Sequence, residues 1–147
     1  DPTITYDEIP RFAPECFAYL NSTQSSQFKK FRLGLEQLLQ EGVVQELKLV
    51  NRHQRAPLLA AVGPLQFEVV QYRLESEYGA QTQLEPTEWT IVRWPTFTGD
   101  ESAMKMSSDT ALAHDMWGGK IILFSTEWAE RYFLSQNPNC TLSRDPR

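Results

Sequence analysis

Apolar residues recur along this chain with two different periods, and the places where the period changes mark its elements. Over Ser25–Glu41, Phe28, Phe31, Leu35, Leu38 and Leu39 fall three or four apart, with Lys29, Lys30, Glu36, Gln37 and Gln40 on the other side. This predicts an amphipathic helix, capped by Ser25 or Ser26 and ended at Gly42. Val43–Val50 alternates, as a strand does. Pro57–Gly63 is nearly all apolar, which fits a strand buried on both faces. The chain then turns at Gly63-Pro64 into a second helix, with proline at the first helical position and Gly79 as a left-handed cap. Its apolar residues form two rows: Leu65, Val69 and Tyr72, and Phe67, Val70, Leu74 and Tyr78. Together they make a face wide enough to lie on a sheet, with Leu65, Val69 and Leu74 expected to point toward it. Cys16–Leu20 reads as a strand, Asn21-Ser22-Thr23 as a turn and Gln81–Glu85 as a further strand. Residues 15–86 therefore run strand, helix, strand, strand, helix, strand, the α+β arrangement of a ferredoxin-like split βαβ (βαββαβ) sandwich.

Residues 87–147 read as a second α+β half. Glu88–Trp94 carries β-formers, Thr110–His114 is a short strand, Asp115–Gly119 a turn and Lys120–Ser125 a strong strand. Thr126 is placed to cap a helix over Glu127–Ser135, which Asn137-Pro138 ends, and Cys140–Ser143 closes the chain as an edge strand. A weak helix over Glu101–Met106 would complete a second βαββαβ, although no residue-level repeat accompanies it. Pro95–Asp100 is expected to be the flexible joint. Residues 1–14, with Pro2, Pro10 and Pro14, form an extended entry. A first residue other than Met, on a polar segment, suggests a piece of a longer protein.

The 147 residues, 41% hydrophobic and 22% charged, suit one domain with a sizeable core. No apolar run is long enough to cross a membrane as a helix. Two cysteines, Cys16 and Cys140, are too few for a secreted framework; a bridge between them is possible, but free, buried thiols in a reducing compartment are the expectation. The net charge of -5 argues against a domain that coats nucleic acid. Residues 11–73 nonetheless hold eight Lys/Arg against five acids. Such a basic excess is either an uneven solvated surface or a steering patch.

Chemistry is sparse. The phosphate-cradling patterns G-x-x-x-x-G-K-[ST] and G-x-G-x-x-G do not occur. His53, His114 and the cysteines lie apart along the chain, so no metal site is expected. Glu68, Glu75 and Glu77 read as the wet side of the second helix, and Trp89, Trp94, Phe97, Trp117 and Trp128 as packing residues rather than base-stacking ones.

Longer patterns say more. The chain reads IPRFAPE at Ile9–Glu15, FKKFRLGLEQLLQEGVVQ from Phe28, and AVGPLQFEVVQYRLESEYG at Ala61–Gly79. An Ile-Pro-x-Phe-Ala-Pro-Glu entry, a helix ending Glu-Gly-x-Val-Gln, then Val-Gly-x-Leu-Gln-Phe and Arg-Leu-x-x-Glu-Tyr resemble the C-terminal domain of bacterial peptide chain release factor 3. The Gln66-Phe67 pair favours that family over the more distantly similar elongation factor G. Residues 8–86 carry nearly all of the resemblance. It implies the third domain of a cytoplasmic translational GTPase, after a G domain and a β-barrel, neither of them in this chain. Such a domain docks on the ribosome and helps class I release factors depart. GTP or GDP would be held by the G domain, and no cofactor or catalytic residue is implied here. The expected partners are the ribosome, through a basic ribosomal protein rather than bare rRNA, and the factor's own G and barrel domains. A monomer is expected. Lys29, Lys30, Arg52, His53 and Arg55 are the candidate ribosome contacts, on local charge and loop position. An independent enzyme, or a regulatory or oligomerisation module pairing at sheet edges, are the other readings of such a scaffold.

Overall fold

The computed structural model describes residues 12–50, 56–101 and 104–146. β1 (Cys16–Ser22) passes through a tight turn at Ser25–Gln27 into α1 (Phe28–Gln40). β2 (Gln45–Leu49), β3 (Leu58–Ala61), α2 (Leu65–Tyr78) and β4 (Thr82–Glu85) follow. The remainder comprises β5 (Ile91–Phe97), β6 (Thr110–His114), β7 (Lys120–Phe124), α3 (Glu127–Gln136) and β8 (Cys140–Ser143). The strands lie in the order β4-β1-β3-β2-β6-β7-β5-β8, every neighbouring pair antiparallel.

The first four strands have the order of a βαββαβ unit. The last four have the same order met from the opposite end, β6-β7-β5-β8. The two sets join where β2 pairs with β6, Lys48 opposite His114 and Leu49 opposite Ala113. The helix expected over Glu101–Met106 is not seen at residues 104–106, although the Met104 N–H donates to the Glu101 carbonyl at 3.0 Å. Residues 102 and 103 lie outside the described residues. Asn137, 2% exposed, explains why the chain does not coil further. The Lys105 N–H donates to its Oδ1 and its Nδ2 donates to the Lys105 carbonyl, both at 2.8 Å. The Lys105 N–H, bonded sideways in this way, is not free to donate along an i→i−4 ladder.

Three cores dry the fold. α1 and α2 cover one face of β1 and β3, burying Phe31, Leu35, Leu38, Phe67, Val70 and Leu74 against Leu20, Leu59 and Ala61. α3 covers β7, with the Phe124 and Phe133 rings edge-on at 5.5 Å. The third core has no helix in it. Leu47, Leu58 and Ala60 of the first strand set pack with Trp89, Val92, Trp94, Ala111, Ala113, Ile121 and Leu123 of the second. The sheet is therefore folded upon itself, its helix-free faces together, in four layers from α1–α2 to α3. β3 is buried on both faces, as its apolar run predicts.

Several expectations need correcting. Asn21 and Ser22 extend β1 rather than turn, because they pair with Gln83 and Thr82. Neither Ser25 nor Ser26 caps α1; they sit in the tight turn, and Gln27 is its N-cap residue. Phe28 is 54% exposed, one turn short of the covered stripe. Pro95, Thr96 and Phe97 belong to β5 instead of a flexible joint. The β7 ladder ends at Arg93 and β8 takes over from Trp94, so Pro95 has only one strand beside it and its missing N–H leaves no ladder broken.

The largest correction concerns α2. Phe67, Val70 and Leu74 are buried, but Leu65, Val69 and Tyr72 face outward. The roll of the helix is set by Gly34: a Cβ there would stand 2.6 Å from Leu74 Cδ2 and 2.7 Å from Tyr78 Cδ2, so α2 crosses α1 directly over this glycine. Gly79, at φ 65°, ends α2 with a left-handed cap, as expected.

In urea unfolding, Leu74→Ala is expected to cost about 2–5 kcal/mol. Leu65→Ala, on the same helix, should stay within about 0.5 kcal/mol. Gly34→Ala should destabilise by about 1–3 kcal/mol through overpacking, although alanine is the better helix former.

Candidate docking surface

Two of the five candidate contacts, Lys29 and Lys30, belong to the α1–α2 layer. Lys29 and Lys30 lie exposed in the first turn of α1, beside the exposed ring of Phe28. Arg52, His53 and Arg55 lie outside the described residues, as do the rest of residues 51–55 and the chain as far as residue 11. The last part of the entry is tied down. Gln45 Nε2 donates to the Phe12 carbonyl at 3.0 Å, and the Glu15 N–H to the Ala61 carbonyl at 2.9 Å.

On α2, Leu65 is 65% and Tyr72 72% exposed, with Val69 between them and Val62 exposed just before the helix. From Leu65 to Tyr72 the row rises about 10 Å along the helix axis. Glu68 and Glu75 stand exposed beside it. The single cation of the helix, Arg73, is held from two sides. Its Nε donates to Glu77 at 2.7 Å, and its Nη2 to Glu41, the C-cap residue of α1, at 3.1 Å. Arg73 holds the Glu41 and Glu77 carboxyls below the usual glutamate range through these hydrogen bonds. The two carboxylates in turn raise the guanidinium pKa further above its already high value.

Other features offer less. An open groove of about 510 Å³ runs from the start of β1 past Pro64 and Phe67 to Pro86 and Trp89. Glu85 at its edge is occupied by Asn21 Nδ2 at 2.6 Å. Both cysteines are free: Cys16 is half-buried beside the first core and Cys140 is buried under α3, where burial pushes its thiol up. Among the described residues no three His, Cys, Asp or Glu side chains gather to hold a metal, and no helix is long and apolar enough to cross a membrane. Trp128, expected to pack inside, is 58% exposed and stacked on Tyr132 at 5.1 Å.

Comparison with known proteins then decides the family. The family model for the C-terminal domain of the class II release factor RF3 matches residues 6–134. The chain belongs to this family. It is 46% identical over 127 residues to peptide chain release factor 3 of Synechocystis sp., covering 85% of this chain and 23% of that protein. It is 41% identical over 143 residues to the same factor of Microcystis aeruginosa, covering 95% of this chain and 26% of the relative. For Synechococcus elongatus the identity is 43% over 141 residues, covering 95% and 25%. The chain thus spans about a quarter of the length of these relatives.

Within the RF3 C-terminal domain, the residues that carried the resemblance differ in burial: Leu74 is packed inside, while Leu65 is 65% exposed. Phe67 is in the first core, and Gln66 Oε1 is buried with no hydrogen-bond partner among the described residues. Sequence reasoning missed two things here. The helical spacing of Arg73 and Glu77 was visible, but the bond to Glu41 requires knowing that the helices pack. Gly34, inside a helical pattern, was a legible sign of close approach that went unread.

Lowered carboxylate pKa values stabilise the fold above the ordinary glutamate value near 4.5, and the gain fades as pH falls through the depressed values. Thermal melts of the wild type and Arg73→Met should therefore differ most near neutral pH and converge in acid. The difference should be modest, because these groups are exposed.

Proposed function

We propose that this chain is the ribosome-docking domain of a GTP-dependent translation termination factor. In this reading the full protein promotes departure of class I release factors after peptide release, in the cytoplasm and as a monomer. GTP or GDP binds in a G domain that precedes a β-barrel, both outside this chain. This chain, with halves at 15–86 and 87–147, contributes contacts rather than catalysis. The match of the RF3 C-terminal family over residues 6–134 carries the reading.

The contact residues proposed are Lys29, Lys30, Arg52, His53 and Arg55. The exposure of Lys29 and Lys30 on α1 and the basic excess of residues 11–73 support them. The overall charge of -5 favours a basic ribosomal protein as the main partner over bare rRNA.

The test reverses Arg52→Glu and Arg55→Glu together in the full-length factor and measures ribosome affinity by sedimentation at moderate salt. A loss of about tenfold is expected. Affinity equal to that of the wild type would remove these residues from the contact.

A further inference from the structure

We infer that the outward row of α2, Val62, Leu65, Val69 and Tyr72 with Glu68 and Glu75 beside it, docks a lysine- and arginine-rich segment of a ribosomal protein that inserts apolar side chains of its own. This rests on the ribosome-docking reading and names a second surface and the chemistry of its partner.

The first ground is the burial pattern. α2 has two apolar rows, and only one is needed to cover the sheet: Phe67, Val70 and Leu74 do that. The other row stays in water for two turns, and Val62 continues it past the helix start. An exposed apolar patch with a polar border is characteristic of an interaction site. Tyr72 is its most exposed member, and tyrosine is enriched among the residues that dominate binding energy.

The second ground is charge. Glu68 and Glu75 border the row, while Arg73 is compensated by both Glu41 and Glu77. On the helix itself the border is therefore acidic, since its one cation, Arg73, is compensated. Phosphates would be repelled, which disfavours RNA as the occupant. A second copy docking by the same face would bring acid against acid, which argues against an isologous dimer here. A basic protein segment is attracted and steered.

The third ground is rigidity. α2 is fixed by its crossing at Gly34, by Arg73 bridging to α1 and by the Gly79 cap. A surface already ordered pays little to bind.

The experiment uses the full-length factor with p-benzoylphenylalanine in place of Tyr72, bound to purified ribosomes and irradiated, with adducts identified by mass spectrometry. An adduct in a Lys/Arg-rich segment of a ribosomal protein is the expected result. An adduct with rRNA, with another domain of the factor or with a second copy, or none from a ribosome-bound factor, would overturn the inference. In parallel, Leu65→Ser with Tyr72→Ser should weaken ribosome binding about tenfold with thermal unfolding unchanged. Glu68→Lys with Glu75→Lys should slow association at low salt. A wild-type factor that does not sediment with ribosomes overturns the docking reading and the strip together. Wild type and both double variants sedimenting equally well overturns the strip alone.

Discussion

A sheet with helices on one face leaves its other face to be kept from water by something else. In this chain the bare faces of two strand sets serve that purpose for each other. Leu58 and Ala60 on one side, and Ile121 and Leu123 on the other, are fully buried although no helix covers them. Neither set could keep its apolar face dry without the other, so the bend of the sheet at β2 and β6 is a condition of stability. Everything outward of that core, including the placement of α1, α2 and α3 on opposite outsides, follows from it.

The same economy explains α2. With the outer face of β1 and β3 covered by a helix pair, each helix needs only a narrow apolar stripe. α1 crosses α2 at a glycine, and the close approach rolls α2 so that Phe67, Val70 and Leu74 face in. The remaining apolar residues have no place in the domain's own core. Their presence in a helix bordered by acids is a property of the surface.

Much of this was legible in the chain. β3, the Gly79 cap, the Thr126 cap, whose Oγ1 accepts the Ala129 N–H at 3.0 Å, and the Asp115–Gly119 turn follow from local rules. What failed depends on distant partners. Two apolar rows on one helix give no periodic signal as to which is inside, and only Gly34 on another helix decides. Pro95 reads as a breaker until it is known that one neighbouring strand has already ended beside it. Asn137 reads as a helix end and not as the side chain that holds Lys105. Of the candidate contacts, the exposure of Lys29 and Lys30 was readable from helical phase. The acid-bordered row on α2 is not readable, because its apolar residues have the same spacing as those that pack inside.

The shared core also has a mechanical meaning. Protein interiors are packed as densely as organic crystals and compress little. Between the α1–α2 layer and α3 lie two sheet layers with that dry core between them. A force on α2 therefore finds no soft layer in which to be absorbed. A densely packed interior of this kind transmits strain from one helical surface toward the other.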